Sequence, residues 1–146
     1  MKRNVVMFTL ALAIGIAIGM IGSQLINAQQ PPAKSPVLLR TDLSGIEGKE
    51  GAILLSEIAP GAVGGKHYHP GHMFGYIIEG SMIMEFEDKP PVTFKPGETF
   101  YLVPNQVHYA KNVSMTAPVN VLNFLVANKG QPLNVPVKWG ARKFFD

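Results

Sequence analysis

The chain of 146 residues contains no cysteine. That excludes a disulfide framework, a zinc ribbon and a thiol nucleophile, so any metal site or catalysis must rest on His, carboxylate, Met or hydroxyl groups. Charge is also scarce, at 16% of residues, and nearly balanced, with 13 Lys and Arg against 10 Asp and Glu. A chain so poor in charge and 47% hydrophobic reads as one compact domain, not as a disordered segment. Beyond residue 36 no window holds a sustained 3.6-residue apolar period, which argues against a helical fold. No internal repeat, low-complexity tract or glycine-rich phosphate loop is visible, and nothing supports nucleic-acid binding. Histidine is limited to four residues, so their placement carries information.

The first recognisable feature is at the N-terminus. Lys2 and Arg3 precede an uncharged run from Val5 to Gly22, which gives way to the polar pair Ser23-Gln24. A short basic flank before an apolar core is the pattern of an export signal, and residues 1–28 are assigned to it. Cleavage after Ala28, leaving Gln29 as the new end, is the first reading; the second is an uncleaved membrane anchor, since the run is only slightly shorter than the ~20 residues a spanning helix needs. Either way the rest of the chain is expected outside the inner membrane, in the periplasm or another extracytoplasmic space. Removing Lys2 and Arg3 leaves 11 basic residues against 10 acidic ones, a net of +1, which takes away the electrostatic argument for an anionic partner. An exported domain without Cys does not depend on oxidation for folding. Gln29 to Pro36, with three prolines and no periodicity, reads as an extended linker, and 37–146 as the folded domain.

Within that domain, short runs of β-branched and aromatic residues recur between Gly, Pro and Asn. The clearest are Ala52 to Ile58, Phe74 to Glu79, Ser81 to Glu87, Val92 to Phe94, Thr99 to Val103, Val107 to Asn112, Val119 to Val126 and Leu133 to Val137. Regular short strands of this kind imply an all-β sandwich or barrel. In Ser81 to Glu87 the residues Met82, Met84 and Phe86 share one face and Ile83, Glu85 and Glu87 the other, so one side is expected to be buried. Glu79-Gly80 reads as a tight hairpin turn, with Gly80 at positive φ. Tyr76, Met84, Phe100 and Phe124 are expected to line the barrel as core residues. Glu57, Glu79, Glu85 and Glu98 lie nearest the histidines but show no spacing that argues for paired acid and base work. The sequon Asn112-Val113-Ser114 is better explained by a structural hydrogen bond of Asn112 at a strand end. The basic, aromatic tail Lys138 to Phe145 reads as a terminal arm packed on the barrel.

His67, His69 and His72 cluster, and His108 stands apart. On an extended strand His67 and His69 point to the same face, because side chains alternate. Two imidazoles so placed can share one metal with a third ligand from another strand, for which His108 is the natural choice. These residues resemble the two signature motifs of the cupin superfamily: Gly61, His67-x-His69, a position normally held by Glu and closing Gly80, then Gly97, Pro104, His108 and Asn112. Two positions depart from the pattern. Asn105 replaces a turn glycine, a mild change because Asn tolerates the left-handed region, and Met73 replaces the Glu.

The resemblance, which covers roughly Ala52 to Val126, implies a double-stranded β-helix, or jelly-roll barrel. It also implies a divalent transition metal, one of Fe, Mn, Zn, Ni or Cu, held inside by His67, His69 and His108. Three completions of the missing carboxylate position stay open: a three-His set with open coordination sites, His72 drawn in after rearrangement, or the Met73 thioether as a soft ligand for copper. For His72 an exposed loop position, and for Met73 an apolar filler, are the plainer readings. The family resemblance suggests a small-molecule enzyme of dioxygenase-like or isomerase-like chemistry, and makes a homodimer reasonable. The competing reading is a non-catalytic cupin that binds or senses a small ligand with a degenerate or empty metal site, and a third is periplasmic copper handling.

Overall fold

The structure is a computed structural model that describes residues 32–137; the expected signal segment, its cleavage point at Ala28 and the tail from Lys138 lie outside the described residues. No helix occurs among the described residues. Eleven strands follow in chain order: β1 (Ala33–Lys34), β2 (Val37–Asp42), β3 (Lys49–Ile58), β4 (His67–Tyr68), β5 (His72–Glu79), β6 (Met82–Phe86), β7 (Val92–Phe94), β8 (Thr99–Leu102), β9 (His108–Asn112), β10 (Val119–Asn128) and β11 (Val135–Pro136). They form two antiparallel sheets. The first runs β1-β3-β10-β5-β8, with β2 also paired to β3, and the second runs β11-β4-β9-β6-β7. From β3 onward the chain passes repeatedly between the sheets, which is the jelly-roll arrangement.

Alternation sets the inner faces. In β10 the residues Val119, Val121, Asn123, Leu125 and Ala127 are buried, whereas Leu122, Phe124 and Asn128 are exposed. In β6, Met82 and Met84 are buried, as their spacing predicts. Ile77, Met82, Leu102, Val119 and Leu125 are the largest fully enclosed side chains, so the core lies between the sheets.

Several expectations are corrected. Glu79-Gly80 does not close a hairpin: β5 pairs with β10 and β8, and β6 with β9 and β7. Gly80 instead turns the chain from one sheet to the other. Its φ is 74°, and a Cβ there would lie 2.5 Å from the Pro118 carbonyl oxygen, so both conformation and space require glycine. Tyr76 and Phe124 do not line the barrel. They are 46% and 41% exposed on the outer face of the first sheet, while Met84 and Phe100 face inward. Phe100 packs against Gly75, where a Cβ would come within 2.0 Å of its ring. The stretch read as linker contributes β1, in which Ala33 and Lys34 pair with Ile58 and Glu57. It holds a sheet edge, where flanking prolines are tolerated.

Two polar ties hold the ends of this barrel. Asn112, at the close of β9, is 5% exposed. Its side-chain amide donates to the carbonyls of Ile58, Ala59 and Ala117 at 3.1, 3.1 and 2.8 Å, and its oxygen accepts from the Ser114 amide at 2.9 Å. At the other end the buried Glu50 carboxylate accepts from Arg40 Nε at 3.0 Å, from Arg40 Nη2 and from the Gly130 amide at 3.3 Å. The hydrogen bond from Arg40 holds the Glu50 carboxyl below the usual carboxylate range.

Candidate metal centre

His67 opens β4 and His108 opens β9, and the two are register partners across the second sheet. His69 follows β4 on the same inward side. The alternation that spaces His67 from His69 and the β4–β9 pairing together bring the three rings into one cluster. Ring centroids lie 4.4 Å apart for His67 and His108, 4.9 Å for His67 and His69, and 5.2 Å for His69 and His108. One ring nitrogen from each lies within 4.8 Å of the others.

The second nitrogen of every ring is already committed. His67 Nδ1 donates to the Gly65 carbonyl at 2.7 Å, His69 Nδ1 to the Leu133 carbonyl at 2.6 Å, and His108 Nδ1 to the Gln106 carbonyl at 2.9 Å. A carbonyl oxygen can only accept, so each Nδ1 carries the proton and each Nε2 lone pair is left available. This is how metal-binding imidazoles are usually oriented, with a backbone carbonyl fixing tautomer and ring plane. Burial drives the imidazoles further toward neutrality. It lowers His108 to about 3 and His69 to about 4, against the opposing effect of their carbonyl hydrogen bonds, and neighbouring imidazole charge adds to the lowering. His67 is lowered as well, again through burial. At neutral pH the cluster therefore presents three uncharged nitrogen donors, which suits a divalent transition ion.

The turn before His108 connects the two motifs. Asn105 has φ 64°, the only positive φ outside glycine among the described residues, and its amide donates to the His69 carbonyl at 2.8 Å. Asn thus serves in the left-handed position where the motif usually has glycine.

The histidines open into a cavity of about 490 Å³ between the sheets, lined mainly by apolar residues including Met73, Met84, Phe100, Leu102 and Leu133. Among the described residues no Asp or Glu lines it. Met73, 5% exposed, thus occupies the cavity wall at the position where the motif normally has Glu. His72 is not part of the cluster: it is exposed on the outer face, hydrogen-bonded to the Tyr101 hydroxyl at 2.7 Å and stacked on its ring. Alternation along β5 puts positions 72 and 73 on opposite sides. The cavity wall also carries polar residues that sequence alone does not single out, among them Asn123 and Ser56. The available signal was Asn123 interrupting the inward apolar series Val119, Val121, Leu125.

An antiparallel double-stranded β-helix with a three-histidine cluster inside it defines a class of small barrel proteins. The match to a family model, the cupin domain, covers residues 54–125, and the chain belongs to the cupin superfamily. No curated protein matches it in sequence. Among solved structures it is similar to a conserved double-stranded β-helix protein from Klebsiella pneumoniae, with 19% identity, a TM-score of 0.59 and coverage of 77% of this chain and 90% of that one. A cupin-like protein from Thermotoga maritima shares 20% identity at a TM-score of 0.55, covering 72% and 75%. The DMSP lyase DddQ from Ruegeria pomeroyi shares 17% identity at 0.58, covering 73% of this chain and 52% of the lyase. At these identities the likeness is one of fold.

Proposed function

We propose that this protein is an exported cupin in which His67, His69 and His108 hold a divalent transition metal beside a largely apolar cavity, and that it acts there on a small molecule. The observation that carries this reading is the set of three Nδ1–H bonds to backbone carbonyls, which leave the Nε2 atoms as the free donors of three rings that each bring one nitrogen within 4.8 Å of the others. A buried trio of imidazoles with no such purpose would cost stability, because the cluster loses hydration without gaining side-chain partners. An ion held by three neutral donors keeps its full charge and open positions, and supplies Lewis-acid polarisation of a ligand oxygen. With no carboxylate in the wall to offset that charge, the ligand is a small molecule whose metal-facing end is anionic. Dioxygenase-like or isomerase-like chemistry is the specific activity proposed, and the family resemblance supports it only as an analogy of fold.

A second reading is supported by the same acid-free wall. Without a carboxylate in the cavity wall to act as general acid or base, the barrel can bind and sense an anionic ligand without converting it. The two are separated by incubating the metal-loaded protein with candidate carboxylates: turnover that stops on chelation supports the enzyme, and ligand-induced thermal stabilisation equal in metal-free and metal-loaded protein supports the sensor.

A further inference from the structure

The cavity has a second polar pole, on the sheet opposite the histidines. Asn123 lies on the inner face of β10, between Leu54 of β3 and Gly75 of β5, and is 5% exposed. Its Nδ2 donates to Ser56 Oγ at 2.9 Å and, at 3.5 Å, to the Val121 carbonyl. Ser56 Oγ is in turn hydrogen-bonded to the exposed Ser35 Oγ at 2.8 Å. The other polar atom of the Asn123 amide, Oδ1, has no partner among the described residues. If the amide is turned over, its nitrogen is the atom left over, so one unsatisfied polar atom remains in either orientation.

That leftover atom is informative because the described residues contain no sealed side-chain nitrogen or oxygen without a partner. The free end of Asn123 therefore meets open space, and Asn123, Ser56 and Ser35 all line the same cavity as the three histidines. A lone amide on an otherwise apolar inner face costs stability when unpaired, whereas Leu at this position would simply extend the Val121–Leu125 series. The Gly75 position beside it leaves the amide uncrowded by a neighbouring side chain on β5, with Phe100 covering the glycine.

We infer that Asn123, backed by Ser56, is a specificity-determining residue that hydrogen-bonds a neutral oxygen function of the ligand, a hydroxyl or carbonyl, from the sheet opposite the histidines. The ligand class is then a small amphipathic carboxylate with an anionic metal-facing end, an apolar body against Met84 and Phe100, and a distal hydroxyl or carbonyl. This inference rests on the metal-binding reading of the site for its anionic end, and on Asn123 for its distal end.

The test uses the full chain loaded with zinc and isothermal titration with straight-chain carboxylates of increasing length, each paired with its terminally hydroxylated analogue. Native protein is expected to prefer the hydroxylated member of at least one pair by roughly five- to tenfold, the effect of one added hydrogen bond. Asn123→Leu should bring the two members of that pair to within about twofold while zinc affinity stays unchanged, and Ser56→Ala should weaken the preference partially. Equal affinity within every pair in native protein, or no binding of either series to zinc-loaded protein, overturns the inference. Failure of zinc itself to bind native protein overturns the metal reading instead, and is read directly in the preceding zinc titration.

Discussion

At the scale of single residues, the site depends on where three ring nitrogens and one thioether point. Met73 faces the cavity at the position where carboxylate-bearing relatives of the motif would place a ligand. Met73→Glu is therefore expected to tighten zinc binding by about tenfold or more while lowering the melting temperature of the metal-free protein, because an uncompensated carboxylate would then line an apolar wall. Unchanged zinc affinity would show that position 73 is not directed at the ion. The lowered pKa values of His69 and His108 give a pH dependence of defined sign. The folded protein binds fewer protons than the unfolded chain, whose histidines titrate near 6.5, so this stabilising contribution is fully present above that pH and is lost as pH falls toward 4 and 3. Melting temperatures of metal-free protein should hold steady above pH 6.5 and decline toward pH 5, in a range where carboxylates remain ionised. A flat profile over that interval would contradict the burial assigned to the cluster.

At the scale of elements, the strands and turns show what can be read locally and what cannot. The pairing of His67 with His69 is legible because alternation is a property of adjacent residues, whereas the framework glycines and Asn105 stand out through the resemblance to the cupin motifs. The burial of Met82 and Met84 is legible through alternation as well. By contrast, Glu79-Gly80 looks like a hairpin from sequence, since a sheet-to-sheet corner and a hairpin both need one residue at positive φ. From sequence, Tyr76 and Phe124 read as inward because β5 and β10 are apolar on both faces, so parity alone does not say which side meets the core; Gly75 under Phe100 decides it. The edge strands β1 and β2, all of whose residues are exposed, carry no alternation and left no signal. Asn112 did announce its role at the end of β9. Replacing it with Ala removes four hydrogen bonds and strands buried carbonyls, which should cost about 3 kcal/mol in a chemical denaturation experiment. A loss below ~1 kcal/mol would mean that water takes over those bonds.

At the scale of the whole molecule, the chain joins a segment with the character of an export signal to a barrel built around a metal-ready cavity. Export with cleavage after Ala28 predicts an intact mass that begins at Gln29 for protein recovered from the extracytoplasmic fraction; a mass that includes Met1 or the apolar run would identify a retained anchor. The barrel could be recognised from sequence because its two motifs carry both ligands and turns, yet the partner register of His67 with His108 and the second polar pole at Asn123 emerge only when distant strands pair. What unites the molecule is the claim that three imidazoles, each locked through Nδ1 to a backbone carbonyl, exist to hold an ion. Elemental analysis of native, untagged protein tests it most directly. About one equivalent of a transition metal per chain is expected, present on isolation or after reconstitution, and lost in the His67→Ala/His69→Ala double variant; native protein that takes up no metal even after reconstitution would overturn the metal-binding reading.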